Sequence, residues 1–257
     1  MSETRAKAER LFGRLPASGC WLDLPCAHVA EIAGRAGADF GVIDLEHGPA
    51  SVETAALMAM ALRAEGAVAL ARPPEASESW TKRLLDSGAD GLILPMVESA
   101  EAARAAVSLT RYPPEGRRGL AAGVIRASGW GREAEAYRGG WNGRVFVAAQ
   151  IETPAALAVA EEIAAVAGVD MLFFGPSDFS SFAGFESGPA DPRTLAAFRE
   201  MRAAAASAGK LTGAVAFPAA EAGLAAEGCD LIAAASDVAA LSAGIARAVS
   251  AGRGAAS

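Results

Sequence analysis

Short apolar runs alternate with segments of helical spacing along nearly the whole chain, and that alternation admits few folds. Strands are expected at 20–24, a run ending at His47, 68–72, 92–96, 145–152, 171–175, 211–217 and 231–235. Between them the spacing predicts helices over 27–37, 51–66, 78–87, 99–112, 154–167, 194–208, 219–227 and from Asp237 to about 252, after a short polar helix at the N-terminus. Ser51 supplies an N-cap, Pro154 fits a first helical turn, and Pro73-Pro74 halts the third strand. Eight strand–helix units in 257 residues predict an α/β fold, a single (β/α)8 TIM barrel over residues 1–257. A doubly wound open sheet is the competing topology, but no G-x-G-x-x-G follows any strand. Only residues 113–144, rich in glycine and opened by Pro113-Pro114, interrupt the rhythm, and a segment of that kind is expected to be a lid or an interface element.

Composition narrows the partners. A net charge of −7 with scattered basic residues excludes a nucleic-acid surface. No apolar run approaches the roughly 20 residues of a membrane span and the N-terminus is polar, so a cytoplasmic protein is expected, without a membrane partner. Three cysteines, Cys20, Cys26 and Cys229, have no ligand-like spacing and predict neither disulfide nor zinc site.

In such a barrel the chemistry lies at the carboxyl ends of the strands. The segment Gly-Val-Ile-Asp-Leu-Glu-His-Gly-Pro, residues 41–49, delivers Asp44, Glu46 and His47 there. Strand three ends on Arg72, strand five on Gln150 and Glu152, and strand six runs into Gly175-Pro176-Ser177-Asp178. Gln150 and Glu152 alternate with Ala149 and Ile151 and so point together toward the barrel axis. Glu152 and Asp178, acids at the mouths of adjacent strands, are suited as hard oxygen ligands to a divalent metal ion, Mg²⁺, Mn²⁺ or Co²⁺. Each could instead cap the helix that follows it; two together beside Arg72 and His47 favour the metal. Lys7, Lys82 and Lys210 are the only lysines, and none falls at a strand end, so imine chemistry is not expected. The loops after strands seven and eight, 217–220 and 236–237, lack a glycine-rich amide nest, which disfavours a phosphorylated substrate.

At these residues the chain resembles the HpcH/HpaI aldolase family of metal-dependent class II pyruvate aldolases, over about 18–248. The likeness rests on Ile43-Asp44-Leu45-Glu46-His47-Gly48-Pro49, Leu94-Pro95-Met96-Val97-Glu98, the run 111–119 (RYPPEGRRG), Gln150-Ile151-Glu152-Thr153 and Phe174-Gly175-Pro176-Ser177-Asp178. It implies that His47 is the general base and Arg72 steadies enolate charge, with Glu152 and Asp178 on the metal and Gln150, Ser177 and Asp178 around pyruvate. It pairs the histidine with Asp86, whereas proximity in sequence points to Asp44; both stand as candidates. It also implies a C-terminal helix exchanged between subunits and a homo-hexamer, for which the 113–144 segment and an apolar last helix (Val238, Leu241, Ile245, Val249) offer surfaces. Residues 179–192 depart from the family pattern, on which aldehyde selection bears. The expected reaction is reversible cleavage of a 4-hydroxy-2-oxo acid to pyruvate and an aldehyde. A CoA-thioester lyase of the citrate-lyase beta type, or a non-catalytic barrel binding 2-oxo acids, are the alternatives.

Overall fold

Eight parallel strands close on themselves in sequence order, each hydrogen-bonded to the next and the last to the first. The computed structural model describes residues 2–216 and 227–254. Its elements are α1 (Glu3–Phe12), β1 (Ala17–Leu22), α2 (Ala27–Arg35), β2 (Phe40–Asp44), α3 (Val52–Ala64), β3 (Val68–Arg72), α4 (Glu78–Asp86) and β4 (Gly91–Leu94). There follow α5 (Ala100–Thr110), α6 (Ala134–Arg144), β5 (Phe146–Ile151), α7 (Pro154–Ala158), α8 (Ala160–Ala164) and β6 (Met171–Phe174). Then come α9 (Pro176–Phe182), α10 (Pro192–Ser207), β7 (Leu211–Val215), β8 (Leu231–Ser236) and α11 (Asp237–Gly254). The (β/α)8 barrel expected from the sequence is therefore the fold, and no helix among the described residues is long and apolar enough to cross a membrane.

Alternation along each strand divides the apolar residues into two cores. Inward positions, among them Phe40, Val42, Leu70, Phe146, Ala148 and Phe173, fill the barrel. Outward positions such as Ile43, Leu92, Val147, Ile151 and Phe174 pack against the helices. Phe12 at the end of α1 plugs the lower opening, edge-on to Phe40 and Phe146 with centroids 5.9 and 5.3 Å apart. Lys7 to Asp170 (2.7 Å) and Arg5 to Asp230 (2.9 Å) hold that helix across the strand starts. The filled interior stops at the upper layer, where the inward positions become polar.

Several boundaries differ from expectation for local reasons. β2 ends at Asp44 rather than His47, because the Asp44 carboxylate accepts the N–H groups of Glu46 (3.0 Å) and His47 (3.5 Å) and turns the chain there. The stretch 113–144 contains a 3₁₀ turn at Arg126–Ser128 and all of α6. Gly139 and Gly140 hide that helix from a propensity reading, but its Trp141 is buried and donates to Thr110 O at 2.8 Å. Helix 154–167 is two short helices, α7 and α8, and α9 over 176–182, with Pro176 in its first turn, is a helix that the spacing does not predict. The end of strand seven at 217, the helix 219–227 except its last residue and the loop 217–220 lie outside the described residues.

Because Phe12 is the lower plug, Phe12→Ala should lower stability by about 3–5 kcal/mol. A denaturant midpoint unchanged from that of the parent protein would show that α1 is an appendage rather than part of the barrel core.

Candidate active site

The upper layer is built from the last inward residue of each strand. From β2 and β3, Asp44 and Arg72 sit opposite each other in register, both buried. Arg72 grips Asp44 with two hydrogen bonds, Nε to Oδ1 at 2.9 Å and Nη2 to Oδ2 at 2.6 Å. From β1, Trp21 lies beneath this pair, its ring centroid 4.7 Å from the guanidinium carbon, and its indole N–H donates to Asp44 Oδ2 at 3.3 Å. Glu46 brings Oε2 to 3.0 Å from Arg72 Nη1, an ion pair without hydrogen-bond geometry, so that oxygen is buried and unpaired. Burial works against the Asp44 charge, yet Arg72, the Glu46 amide and the indole overcome it and hold the carboxyl below its usual range. Glu46 has no such escort. Its burial, with Asp44 and Asp178 nearby, pushes its carboxyl up against the opposing pull of Arg72 and His47.

On the other side of the mouth β5 supplies Gln150 and Glu152, both buried. Glu152 Oε1 accepts the Met96 N–H at 2.7 Å, and Oε2 accepts Gln150 Nε2 at 2.6 Å. Met96, just past β4, holds φ at 51°, a left-handed conformation that side chains disfavour and that aims its N–H at the carboxylate. Gly175, between β6 and α9, closes the same corner. A Cβ there would lie 3.0 Å from Gln150 Nε2 and 3.1 Å from Glu152 Oε2, so a larger residue would press on both side chains. Burial raises the Glu152 carboxyl to about 7, with the charges of Glu46 and Asp178 adding to it against the Met96 amide and Arg72. Gln150 Oε1 is buried without a partner.

The sequence-derived set divides accordingly. Asp44, Arg72, Gln150 and Glu152 share this mouth, with Asp178 half-buried and Ser177 exposed at the start of α9. His47 stands exposed on the rim. Neither candidate carboxylate engages its ring: Asp44 belongs to Arg72, and Asp86 ends α4, on the side of the barrel where strands begin. There Asp86 is bound by Arg118 Nη2 at 2.6 Å, and Arg118 itself stacks on Tyr112 and Trp141. Lys7, Lys210 and Lys82 are engaged elsewhere, with Asp170, the Val169 carbonyl and Glu78. Trp21 and the Met96 amide were not anticipated. The inward alternation Ala17, Gly19, Trp21 could have placed the indole, whereas nothing in the sequence announces a positive φ at Met96.

Among the described residues no three His, Cys, Asp or Glu side chains form a closed metal cage. The donors present nevertheless suit a hard cation that completes its shell with substrate and water. Glu46 Oε2 and Gln150 Oε1 are buried without a hydrogen bond, and Glu152 is raised first by burial and then by neighbouring negative charge, both of which a cation would offset.

Comparison with known proteins gives the chain its family. The HpcH/HpaI aldolase/citrate lyase family matches residues 17–243. A 2-keto-3-deoxy-L-rhamnonate aldolase of Escherichia coli strain K12 is 39% identical over 197 residues, 75% of this chain and 73% of the relative. Among solved structures, an HpcH/HpaI aldolase/citrate lyase family protein from Burkholderia cenocepacia J2315 superposes with a TM-score of 0.89 at 33% identity, covering 97% of this chain and 99% of the other. An HpcH/HpaI aldolase from Desulfitobacterium hafniense DCB-2 gives 0.85 at 30% identity, covering 95% of each.

A carboxyl raised from 4.5 to about 7 makes a pH signature. The folded state holds the proton more tightly than the unfolded chain, so the stability gained is complete below about 4.5 and lost as pH rises through about 7. In ligand-free protein Glu152→Gln should abolish that loss, worth on the order of 2–3 kcal/mol, since glutamine keeps an acceptor for Met96 and Gln150 can turn its own amide oxygen toward it. Parallel declines in melting temperature between pH 5 and pH 8 for both proteins would show that Glu152 is not the group responsible.

Proposed function

The chain belongs to the HpcH/HpaI aldolase/citrate lyase family and is a carbon–carbon lyase, and from that premise we propose that it is a divalent-metal-dependent aldolase cleaving a 4-hydroxy-2-oxo acid to pyruvate and an aldehyde. The observation that carries the metal-dependent reading is Glu152, buried beside Glu46 and Asp178 with its carboxyl raised to about 7, across the mouth from the fixed guanidinium of Arg72. The relatives named as aldolases, rather than thioester lyases, favour the free acid as substrate. Its setting would be the cytoplasm and its partners small molecules and further copies of itself.

Glu152 and Asp178 would hold the ion, which when bound supplies Lewis acidity to the 2-oxo group of the substrate. The protein's own groups divide the remaining work. Gln150, whose amide N–H is held by Glu152, would line the pyruvate end with its amide oxygen available to the cation or to a water between it and the substrate, and Ser177 and Asp178 lie at the start of α9. His47, exposed on the rim and without a hydrogen bond to a carboxylate among the described residues, would take the proton from the 4-hydroxyl as the C3–C4 bond breaks. The bond's electron pair passes into the pyruvate enolate, an aldehyde departs, and a proton delivered to C3 completes pyruvate. Arg72 cannot turn away from the developing oxyanion, because Asp44 holds two of its nitrogens and Trp21 packs against its face. The apolar fill of the barrel directly below keeps bulk water from that charge.

Chelator treatment should remove cleavage, and Mg²⁺, Mn²⁺ or Co²⁺ should restore it. His47→Ala should lower cleavage by about 10²- to 10⁴-fold while leaving more of the exchange of pyruvate methyl protons with deuterated solvent. Glu152→Ala should lose metal and both reactions. Borohydride trapping of a covalent pyruvate adduct would refute the metal reading, and equal loss of cleavage and exchange in His47→Ala would move His47 to the enolate step.

The assembly proposed is a homo-hexamer. It is supported by apolar side chains left exposed on α11 (Val238, Leu241, Ile245 and Val249), by Ile32 on α2, and by Val124 and Trp130 in the 113–144 segment, each 71% exposed. Light scattering at micromolar concentration should give a mass several times that of the chain; a monomer would overturn the assignment.

A further inference from the structure

The barrel's closure sets where the aldehyde half of the substrate must lie. Gln150 and Glu152 end β5, and with β6 they mark the pyruvate end; β1 and β8 stand across the mouth from them. Arg72 and His47, on the β3 and β2 side, lie between. A substrate chain that continues beyond C3 therefore runs toward β1 and β8.

The groups waiting there are Asp23 and Ser236. Trp21 faces the barrel interior and Leu22 the helical layer, so alternation turns Asp23 inward again. The register that pairs Trp21 with Val42 and Leu22 with Ile43 brings Asp23 next to Asp44. Ser236 is opposite Trp21 on β8, is buried, and donates its hydroxyl to Asp23 Oδ2 at 3.2 Å. Asp23 is only half-buried, and its Oδ1 takes no hydrogen bond from the described residues. Asp237 adds a further carboxylate, which accepts the N–H groups of Asp23 (3.1 Å) and Leu24 (2.9 Å). Among the described residues the cation that acts on Asp23 is Arg72, whose pull is smaller than the push of burial and of Asp237 and whose guanidinium is already engaged by Asp44 and Glu46.

Resting on the aldolase reading above, we propose that Asp23, oriented by Ser236, receives the aldehyde fragment and selects a neutral, hydroxyl-bearing aldehyde over one that carries a carboxylate. A hydroxyl next to the reacting carbonyl donates to the free oxygen of Asp23. A carboxylate in the same place meets Asp23 and Asp237 with only the already engaged Arg72 to offset them, and a plain alkyl chain leaves the Asp23 oxygen desolvated and unpaired.

The test is aldol addition of pyruvate, with Mg²⁺ present, to glycolaldehyde, propanal and succinic semialdehyde, read as ratios of kcat/KM on one protein sample. Ratios are insensitive to partial unfolding and to a general loss of enolate chemistry. The native protein should prefer glycolaldehyde to succinic semialdehyde by about 100-fold or more, the scale at which unpaired or repelled polar groups discriminate. Asp23→Asn, which removes charge but keeps hydrogen bonding, should cut that ratio about tenfold while preserving the preference for glycolaldehyde over propanal; Asp23→Ala should lose both. Ser236→Ala should weaken the hydroxyl preference without admitting the carboxylate. Native protein that favours succinic semialdehyde, or Asp23 variants with native ratios, would overturn the inference. Exchange of pyruvate methyl protons by the native protein separates this outcome from failure of the aldolase reading, since exchange needs no aldehyde and its absence would count against the aldolase chemistry itself.

Discussion

The bidentate pair between Arg72 and Asp44 is the constraint from which the upper half of the barrel follows. Both groups are buried where the apolar fill ends, and a buried charge survives only if it is paired and hydrogen-bonded. Register between β2 and β3 supplies the pairing, the turn amides of Glu46 and His47 take one carboxylate oxygen, and the Trp21 indole takes the other. The same bonds end β2, so the catalytic rim begins where the pair is satisfied. Removing either partner would strand the other, at a cost of about 3–5 kcal/mol; the pair is better understood as the price of a fixed guanidinium at the mouth than as a source of stability.

Opposite treatment of the remaining acids follows from that arrangement. Arg72 can satisfy Asp44 fully but Glu46 only at one nitrogen, and it is more distant still from Glu152. Asp44 is therefore held down by its bonds to Arg72, whereas Glu152, buried and farther from that cation, rises to about 7 chiefly through its burial, with the charges of Glu46 and Asp178 adding to it. A site left in that condition has electrostatic room for one more positive charge and none for another acid. The strained amide of Met96 and the glycine at 175 keep Glu152 in place despite the cost of its ionisation.

The barrel was legible in the sequence because its signal is periodic and repeated: apolar runs and helical spacing recur eight times, and errors at single boundaries do not disturb the count. Inward placement of Gln150 and Glu152 was legible for the same reason, since period-two alternation needs no tertiary information. Pairings were not. Asp44 is near His47 in sequence, yet its partner is Arg72 across a strand, and Asp86 is bound to Arg118 on the far side of the barrel. The helix over 134–144 was masked by its glycines, and its stability comes from Trp141 and Tyr137 packing beneath the segment rather than from propensity. The unusual backbone at Met96 is likewise set by a hydrogen bond that only the closed barrel creates.

Closure also brings the polar ends of distant strands together. In an open sheet the ends of the first and last strands would lie at opposite edges; here β8 hydrogen-bonds β1, and Ser236 reaches Asp23 across that seam. The mouth is thus a ring with no edge, and a substrate extended across it must touch the β5–β6 side and the β1–β8 side together. The lower opening is closed by Phe12 and the interior is filled to the level of Trp21, so among the described residues the upper rim is the approach to the polar layer. A ligand entering there meets the carboxylates of Asp23, Asp44, Glu46 and Glu152 with the immobilised Arg72 among them. That asymmetry orients a 2-oxo acid before any bond changes: its carboxylate and keto oxygens are accepted only where a cation or Arg72 can face them, and its neutral end is left for the carboxylate of Asp23.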